Sequence, residues 1–259
     1  MRISLIGAGR VAHHLAHALV QQHQIINIYS RSLHKAEVLA EQVKAHAVAQ
    51  LKDLQIDVDV ILIAVSDQAI ASVVQQLTAY VPNVLLAHTS GSTHIDVIQQ
   101  QHVRAGVFYP LQTFSIEREI DWQNTPLFIE AQLEQDLQRL QQLAAALSQR
   151  IYCYSSAQRL SLHLAAVFAC NFSNYCYDIA KQVVDAQAVD FSLLYPLIEA
   201  TAKKALQADP KMMQTGPAMR GDKNIIQMHQ NLLAEQQRPD LEQVYGLFSQ
   251  QILNRHQTS

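Results

Sequence analysis

A chain of 259 residues, 49% hydrophobic and 16% charged, can fill a real core in one large domain or two modest ones, which excludes disorder and small stapled scaffolds. Nineteen Lys and Arg against twenty-two Asp and Glu leave a formal charge of −3, so no basic field is offered to a nucleic-acid backbone and any phosphate must be bound locally. The longest unbroken apolar runs, Val60–Val65 and Leu164–Cys170, fall far short of the roughly 20 residues a membrane helix needs.

Met1 leads straight into the strand-like Arg2-Ile3-Ser4-Leu5-Ile6, without a basic flank, long apolar stretch and small-residue cleavage site in succession, which predicts a cytoplasmic protein. Gly7-Ala8-Gly9-Arg10-Val11-Ala12 follows at once, and Val11, Leu15, Ala18 and Leu19 then recur at helical spacing. Strand, glycine turn and helix in this order suit a dinucleotide. Gly7 permits the tight turn, Gly9 lets backbone approach a pyrophosphate, Ala12 is small enough for helix–strand packing, and the helix start supplies free N–H groups. Such a fingerprint also arises in ordinary tight turns. Here, however, two of only seven glycines occupy its two most demanding positions, directly behind a strand.

A second strand, Ile25–Tyr29, completes a strand–helix–strand unit, and the residues at its end select between cofactors. A carboxylate there would bind a ribose 2′-hydroxyl, whereas an Arg accepts a 2′-phosphate. The chain has Ser30-Arg31-Ser32, with no Asp or Glu between Arg2 and Glu37, so NADP is predicted over NAD. A solvated loop is the plain alternative for Arg31. The candidate cofactor set is Gly7, Ala8, Gly9, Arg10, Val11, Ser30, Arg31, Ser32, Val65, Ser66 and Thr89.

Further strands are predicted in Asp57–Val65, Asn83–His88, Arg104–Phe108, Pro126–Ile129 and around Ile151–Tyr154, the last preceded by a helix marked by Leu133, Leu137, Leu140, Leu143 and Leu147. Beyond Ser155 helical patterns dominate, near Ala157–Ala186, Phe191–Gln207, Asn224–Gln236 and Leu241–Leu253, with Asp209-Pro210 and Arg238-Pro239 as breakers. The expected fold class is α/β: a doubly wound, mostly parallel Rossmann-type sheet over residues 1–155, then an all-helical domain over 156–259. Cys153, Cys170 and Cys176 form no CxxC pair and are expected to be buried reduced thiols. His13, His14 and His17 lack the partners of a zinc site and are expected on a solvated face, so no metal is predicted.

These motifs together resemble NADP-dependent oxidoreductase-like proteins that join a Rossmann-like domain to a helical carboxyl-terminal domain. The resemblance rests on Gly7–Ala12, Thr89-Ser90-Gly91-Ser92, Gly106–Phe114, the His163–Asn171 helix and Thr215–Asp222. The wider group includes ketopantoate reductases, pyrroline-5-carboxylate reductases, β-hydroxyacid dehydrogenases and deazaflavin-dependent NADP reductases. Two departures stand out. Tyr109 occupies a position where relatives commonly have His, and Val167 replaces the Lys that precedes the Asn by four residues in β-hydroxyacid dehydrogenases. The resemblance implies hydride transfer between the nicotinamide and a small ketoacid, such as ketopantoate, or a cyclic imine. It also implies a helical domain that closes the substrate cleft and supplies a homodimer surface.

Reduction of a carbonyl or imine needs a proton donor and preorganised hydrogen bonds. His163 is the first candidate, with Asn171 beside it. On a helix of about 100° per residue, His163 and Asn174 differ by about 20°, while Phe168, Phe172, Tyr175 and Ile179 take the opposite side and are expected to bury it in their own domain. A solvated stripe would read the same way. Ser90, Gly91 and Ser92 form with Thr89 a hydroxyl-bearing loop suited to a substrate carboxylate or the carboxamide, or else a plain turn. Arg220 is suited to clamp a carboxylate or to pair with Asp222. Two rivals remain: an NADP(H)-sensing protein without turnover, and a reductase whose hydride donor is a deazaflavin.

Overall fold

The computed structural model of the chain describes residues 1–257 and divides into two compact units, Met1–Ala169 and a second beginning at Cys170. The first unit runs β1 (Arg2–Ile6), α1 (Arg10–Leu19), β2 (Gln24–Tyr29), α2 (Leu33–Val43), β3 (His46–Val48), β4 (Val60–Ile63), α3 (Asp67–Thr78) and β5 (Leu85–His88). It continues with α4 (Asp96–Gln99), β6 (Ala105–Pro110), β7 (Leu127–Ala131), α5 (Glu134–Ala145), β8 (Ile151–Cys153) and α6 (Ser156–Ala166). The eight strands form one sheet in the order β3-β2-β1-β4-β5-β6-β7-β8. Every neighbouring pair is parallel except β6 with β7.

Side chains alternate across a strand, so the apolar runs feed two cores. Val60 and Leu62 of β4 join Ile3, Leu5, Leu85 and residues of α1, α2 and α5 on one face of the sheet. Ile61 and Ile63 join Leu86, Val107 and residues of α3 on the other. Helices thus cover both faces, the doubly wound arrangement expected of strands that are apolar without alternation. The buried Asn27 fixes β2 beside β1 by donating to Ser4 Oγ at 2.7 Å and to the Gln55 carbonyl at 3.0 Å.

Helix α6 is tied to the sheet unit. Its start is a capping box in which Ser155 and Gln158 exchange hydrogen bonds. The backbone N–H of Ser156 and its hydroxyl both donate to the Glu130 carboxylate, at 3.0 and 2.7 Å. Arg159, 1% exposed, donates to Glu130 at 2.6 Å and to the Thr93 carbonyl at 2.5 Å. These bonds carry α6 with the sheet, and the compact units accordingly divide after Ala169 rather than after residue 155.

The helical run expected over Ala157–Ala186 is interrupted. Val167–Phe172 is a π-helix, and only then does α7 (Ser173–Asp185) begin. The second unit continues with a 3₁₀ turn at Phe191–Leu194, then α8 (Tyr195–Gln207), α9 (Pro217–Arg220), α10 (Lys223–Glu235) and α11 (Pro239–Gln257). Gly216 and Gly221 bracket α9 with φ of 106° and 69°, conformations that a side chain disfavours. Asp222 then caps α10 by accepting from the Ile225 N–H at 3.2 Å.

Three expectations are corrected by burial. Phe168, Phe172 and Tyr175 are exposed rather than packed into their own domain. Cys153 and Cys170 are exposed and Cys176 only half-buried. His14 is buried, its Nε2–H donating to the Ser115 carbonyl at 2.9 Å, so the histidine face of α1 is not simply solvated.

Candidate active site

The chain leaves β1 toward β2 on one side and crosses to β4 on the other, so the carboxyl ends of β1 and β4 form the switch point where open α/β sheets place ligands. A cleft of about 950 Å³ lies there, lined from the ends of β1, β2, β4, β5 and β6 and by His163 of α6.

Gly7 turns the chain out of β1 with φ 126°, its N–H donating to the Tyr29 carbonyl at 2.7 Å. A β-carbon on Gly7 would stand 2.2 Å from the Ala64 carbonyl oxygen, so the chain at the end of β4 itself excludes any side chain. Gly9 is different. It caps α1 with no side-chain bond to the helix N–H groups, and a β-carbon there would meet nothing within 4 Å. The first turn of α1 therefore faces the cleft bare, without an acidic residue, as an anion-binding helix start should.

At the end of β2, Ser30, Arg31 and Lys35 line the cleft. The Ser32 N–H donates to Ser30 Oγ at 3.2 Å, and the Ser32 side chain makes no capping bond to α2. Together with Arg10, these residues offer guanidinium, ammonium and hydroxyl groups, a donor set that fits phosphates. Asp67 is the only carboxylate among the described residues lining the cleft.

At the far end, Thr89, Ser90 and Gly91 follow β5. Ser90 Oγ accepts from the N–H groups of Ser92 and Thr93 at 3.1 and 3.0 Å, folding the loop on itself, while the Ser92 hydroxyl donates to Asp67. Across from this loop, the hydroxyl of Tyr109 and Nδ1 of His163 lie 3.2 Å apart. Burial pushes the Tyr109 phenol up to about 12, with Asp67 acting in the same direction and Arg159 opposing it. Gln112 and Phe114 complete this end. Phe114 packs on His14, ring centroids 5.5 Å apart, and so ties the segment after β6 to α1.

Of the residues singled out by sequence, Gly7 to Val11, Ser30, Arg31, Val65, Ser66, Thr89 to Gly91 and His163 line this cleft. Ser32 and Ser92 stand beside it, bonded to Ser30 and Asp67. Asn171, Asn174 and Arg220 belong to the second unit. The helical-wheel alignment of His163 with Asn171 and Asn174 assumed an unbroken α-helix. The π-helix between them takes an extra residue per hydrogen-bonded turn and rotates the residues beyond it. Asp67, which the sequence places with Ser66 at the carboxyl end of a strand, also lines the cleft, whereas sequence reasoning missed Lys35, four residues after Arg31, and the placement of Tyr109. No group of three or more His, Cys, Asp or Glu suited to a metal occurs among the described residues, nor does a helix long and apolar enough to cross a membrane.

A crevice at the strand-order reversal, entered by a bare helix start and rimmed with cations, defines a Rossmann-type oxidoreductase that works with a dinucleotide. The family model described as NADP oxidoreductase, coenzyme F420-dependent, matches residues 2–89, and that of a domain of unknown function, DUF2520, matches residues 125–252. The chain is 38% identical to a Bacteroides fragilis protein described as "putative NADP oxidoreductase BF3122", with 98% of each chain covered and a TM-score of 0.90. At that identity over nearly its whole length, the chain belongs to the NADP oxidoreductase family. The same fold recurs in an imine reductase from Myxococcus stipitatus in complex with NADP+ (16% identity, TM-score 0.76, covering 100% of this chain and 95% of that one). It recurs again in a pyrroline-5-carboxylate reductase from Coxiella burnetii (15% identity, TM-score 0.59, covering 99% and 97%). Among curated proteins none matches the chain.

Proposed function

We propose that the cleft holds NADPH and that the protein reduces the C=N or C=O bond of a small cyclic imine or ketoacid, or runs the reverse oxidation. One observation carries the reading: the start of α1 opens bare on a cleft whose β2 side bears Arg31 and Lys35 with no carboxylate. The N–H groups after Gly9, with Arg10, would hold the pyrophosphate, and Ser30, Arg31, Ser32 and Lys35 the 2′-phosphate. Bound there, the reduced nicotinamide supplies two electrons and a hydrogen to the substrate carbon. Thr89, Ser90 and Gly91 would orient substrate or carboxamide, and the exchangeable protons at that end belong to Tyr109 and His163. The kinship in fold with imine and pyrroline-5-carboxylate reductases favours testing imines first.

Calorimetry with NADPH and NADH, then loss of reduced-nicotinamide absorbance against a panel of cyclic imines and ketoacids, tests this reading. Tight NADPH binding with turnover of one panel class is expected, and no heat with either coenzyme rejects it. Binding without turnover in any well, with reduced deazaflavin included as a donor, selects the sensor instead.

We infer also that the chain acts as a homodimer. Among the described residues of the second unit only Ala218, Leu233, Leu241 and Ser249 are buried, whereas Leu193, Leu197, Leu206 and Met212 are 64–88% exposed. So much bare apolar surface suits a second copy of the same unit. Sedimentation equilibrium should give twice the chain mass; a monomer rejects the inference.

A further inference from the structure

Tyr109 stands near the end of β6, a strand buried along most of its length, and its ring packs on Phe128 with centroids 6.3 Å apart. His163 meets it edge-on from α6, the ring planes at 74°. Gly91 closes around the pair: a β-carbon on it would stand 2.6 Å from His163 Nδ1 and 2.8 Å from the Tyr109 hydroxyl. All three residues line the cleft. A glycine without positive φ is thus required here for the space it leaves to two side chains.

The phenol has one proton and two acceptor positions. Aimed at Nδ1, that proton is lost to the cleft. When Nδ1 carries its own hydrogen and donates it to the phenolic oxygen, the phenolic hydrogen is free to point at a bound substrate. Resting on the cleft being a reductase site, we propose that Tyr109 gives the proton to the substrate heteroatom and that His163 is the positioning residue that orients and reprotonates it.

The balance is simple. Once the substrate carbon is reduced, the electron pair of the C=N or C=O π bond sits on the heteroatom. The Tyr109 O–H bond breaks, its proton joins the heteroatom and its electron pair stays on the phenolic oxygen. His163 passes its Nδ1 proton to that oxygen as its Nε2 takes one from water, so the ring stays neutral, and exchange with solvent returns the hydrogen to Nδ1. The charged groups facing Tyr109 are Asp67 of α3 and Arg159 of α6, which act on it in opposite senses. Burial leaves the phenol protonated across the neutral range, so its proton is always present to be given.

Three measurements on the full chain test the assignment. Nitrogen nuclear magnetic resonance of the His163 ring without cofactor reads which ring nitrogen carries the hydrogen, and Tyr109→Phe should change that tautomer balance. Tyr109→Phe should keep its NADPH dissociation constant within about 2-fold while kcat falls about 10²-fold or more, the range for losing a general acid. His163→Gln should lower kcat less than Tyr109→Phe, leave KM nearly unchanged and flatten the pH profile of kcat. Unchanged kcat in Tyr109→Phe, or an unchanged His163 tautomer balance, overturns the proposal while the cofactor reading stands. Loss of NADPH binding by the unaltered chain overturns the cofactor reading itself.

Discussion

Gly7 and Ala64 touch so closely that the α-carbon of one cannot carry a methyl group without striking the carbonyl oxygen of the other, 2.2 Å from where it would be. The contact locks the glycine turn onto the end of β4 and holds the start of α1 at the mouth of the cleft. Because the obstacle is backbone and φ is 126°, Gly7→Ala combines strain with a clash. Urea unfolding should show a loss of at least about 2 kcal/mol. Gly9→Ala meets open space and should stay within about 1 kcal/mol of the parent, yet weaken NADPH binding about 10-fold by intruding on the pyrophosphate. Equal stability losses in the two variants would contradict this division of labour.

Arg31 and Lys35 should discriminate between coenzymes. Removing a charge-assisted contact to a 2′-phosphate costs about 1.5–3 kcal/mol, or roughly 10- to 100-fold in affinity. Arg31→Ala should therefore weaken NADPH by that factor and leave NADH nearly unchanged, with the difference shrinking at high salt. Titrating both coenzymes by fluorescence at two ionic strengths checks it; parallel losses would remove Arg31 from the phosphate site.

The buried ion pair of Arg159 with Glu130 joins α6, β7 and the loop at Thr93. Stripping one partner from such a pair costs about 3–5 kcal/mol, because the other is left without compensation. Glu130 is 19% exposed and keeps some water, so Arg159→Met should fall at the lower end, about 3 kcal/mol. Denaturant midpoints measure this directly, and a change below about 1 kcal/mol would show the pair to be dispensable.

His88 is fully buried at the end of β5, accepting at Nδ1 from the Ser90 N–H at 3.2 Å. Burial, reinforced by the charge of Arg159, lowers its pKa from 6.5 to about 3. Below 6.5 the unfolded chain takes a proton that the folded chain refuses until about 3, so the folded state loses ground as the pH falls across that window. One such group contributes a slope of at most about 1.4 kcal/mol per pH unit. Comparing unfolding at about pH 7.5 and about pH 5, His88→Gln should lose less stability on acidification than the parent. An identical loss would mean that His88 is not held neutral.

The cofactor half of the cleft was legible because its signals are local. A strand, two glycines and an Arg lie within some thirty residues of one another, and backbone geometry makes their spacing meaningful. Lys35 carries a local signal too, four residues from Arg31 and near the start of α2. The far end of the cleft is not local. Tyr109 and His163 are 54 residues apart, and only the sheet order and the anchoring of α6 by Arg159 bring them together. Nothing in Val167–Phe172 announces a π-helix, so a wheel drawn through it at 100° per residue loses its register. The exposure of Cys153 and Cys170 has no mark in the sequence, because free thiols are usually interior. The sixth and seventh strands look like their neighbours in composition, and the antiparallel reversal between them has no mark of its own.

The imbalance of interiors between the units bears on how the chain is made. Nearly all its water-excluded apolar side chains come before Ser148, so a nascent polypeptide can close both sheet cores while its last third is still being translated. The later helices have little of their own to collapse upon, and on the homodimer proposed above their consolidation should speed up with protein concentration.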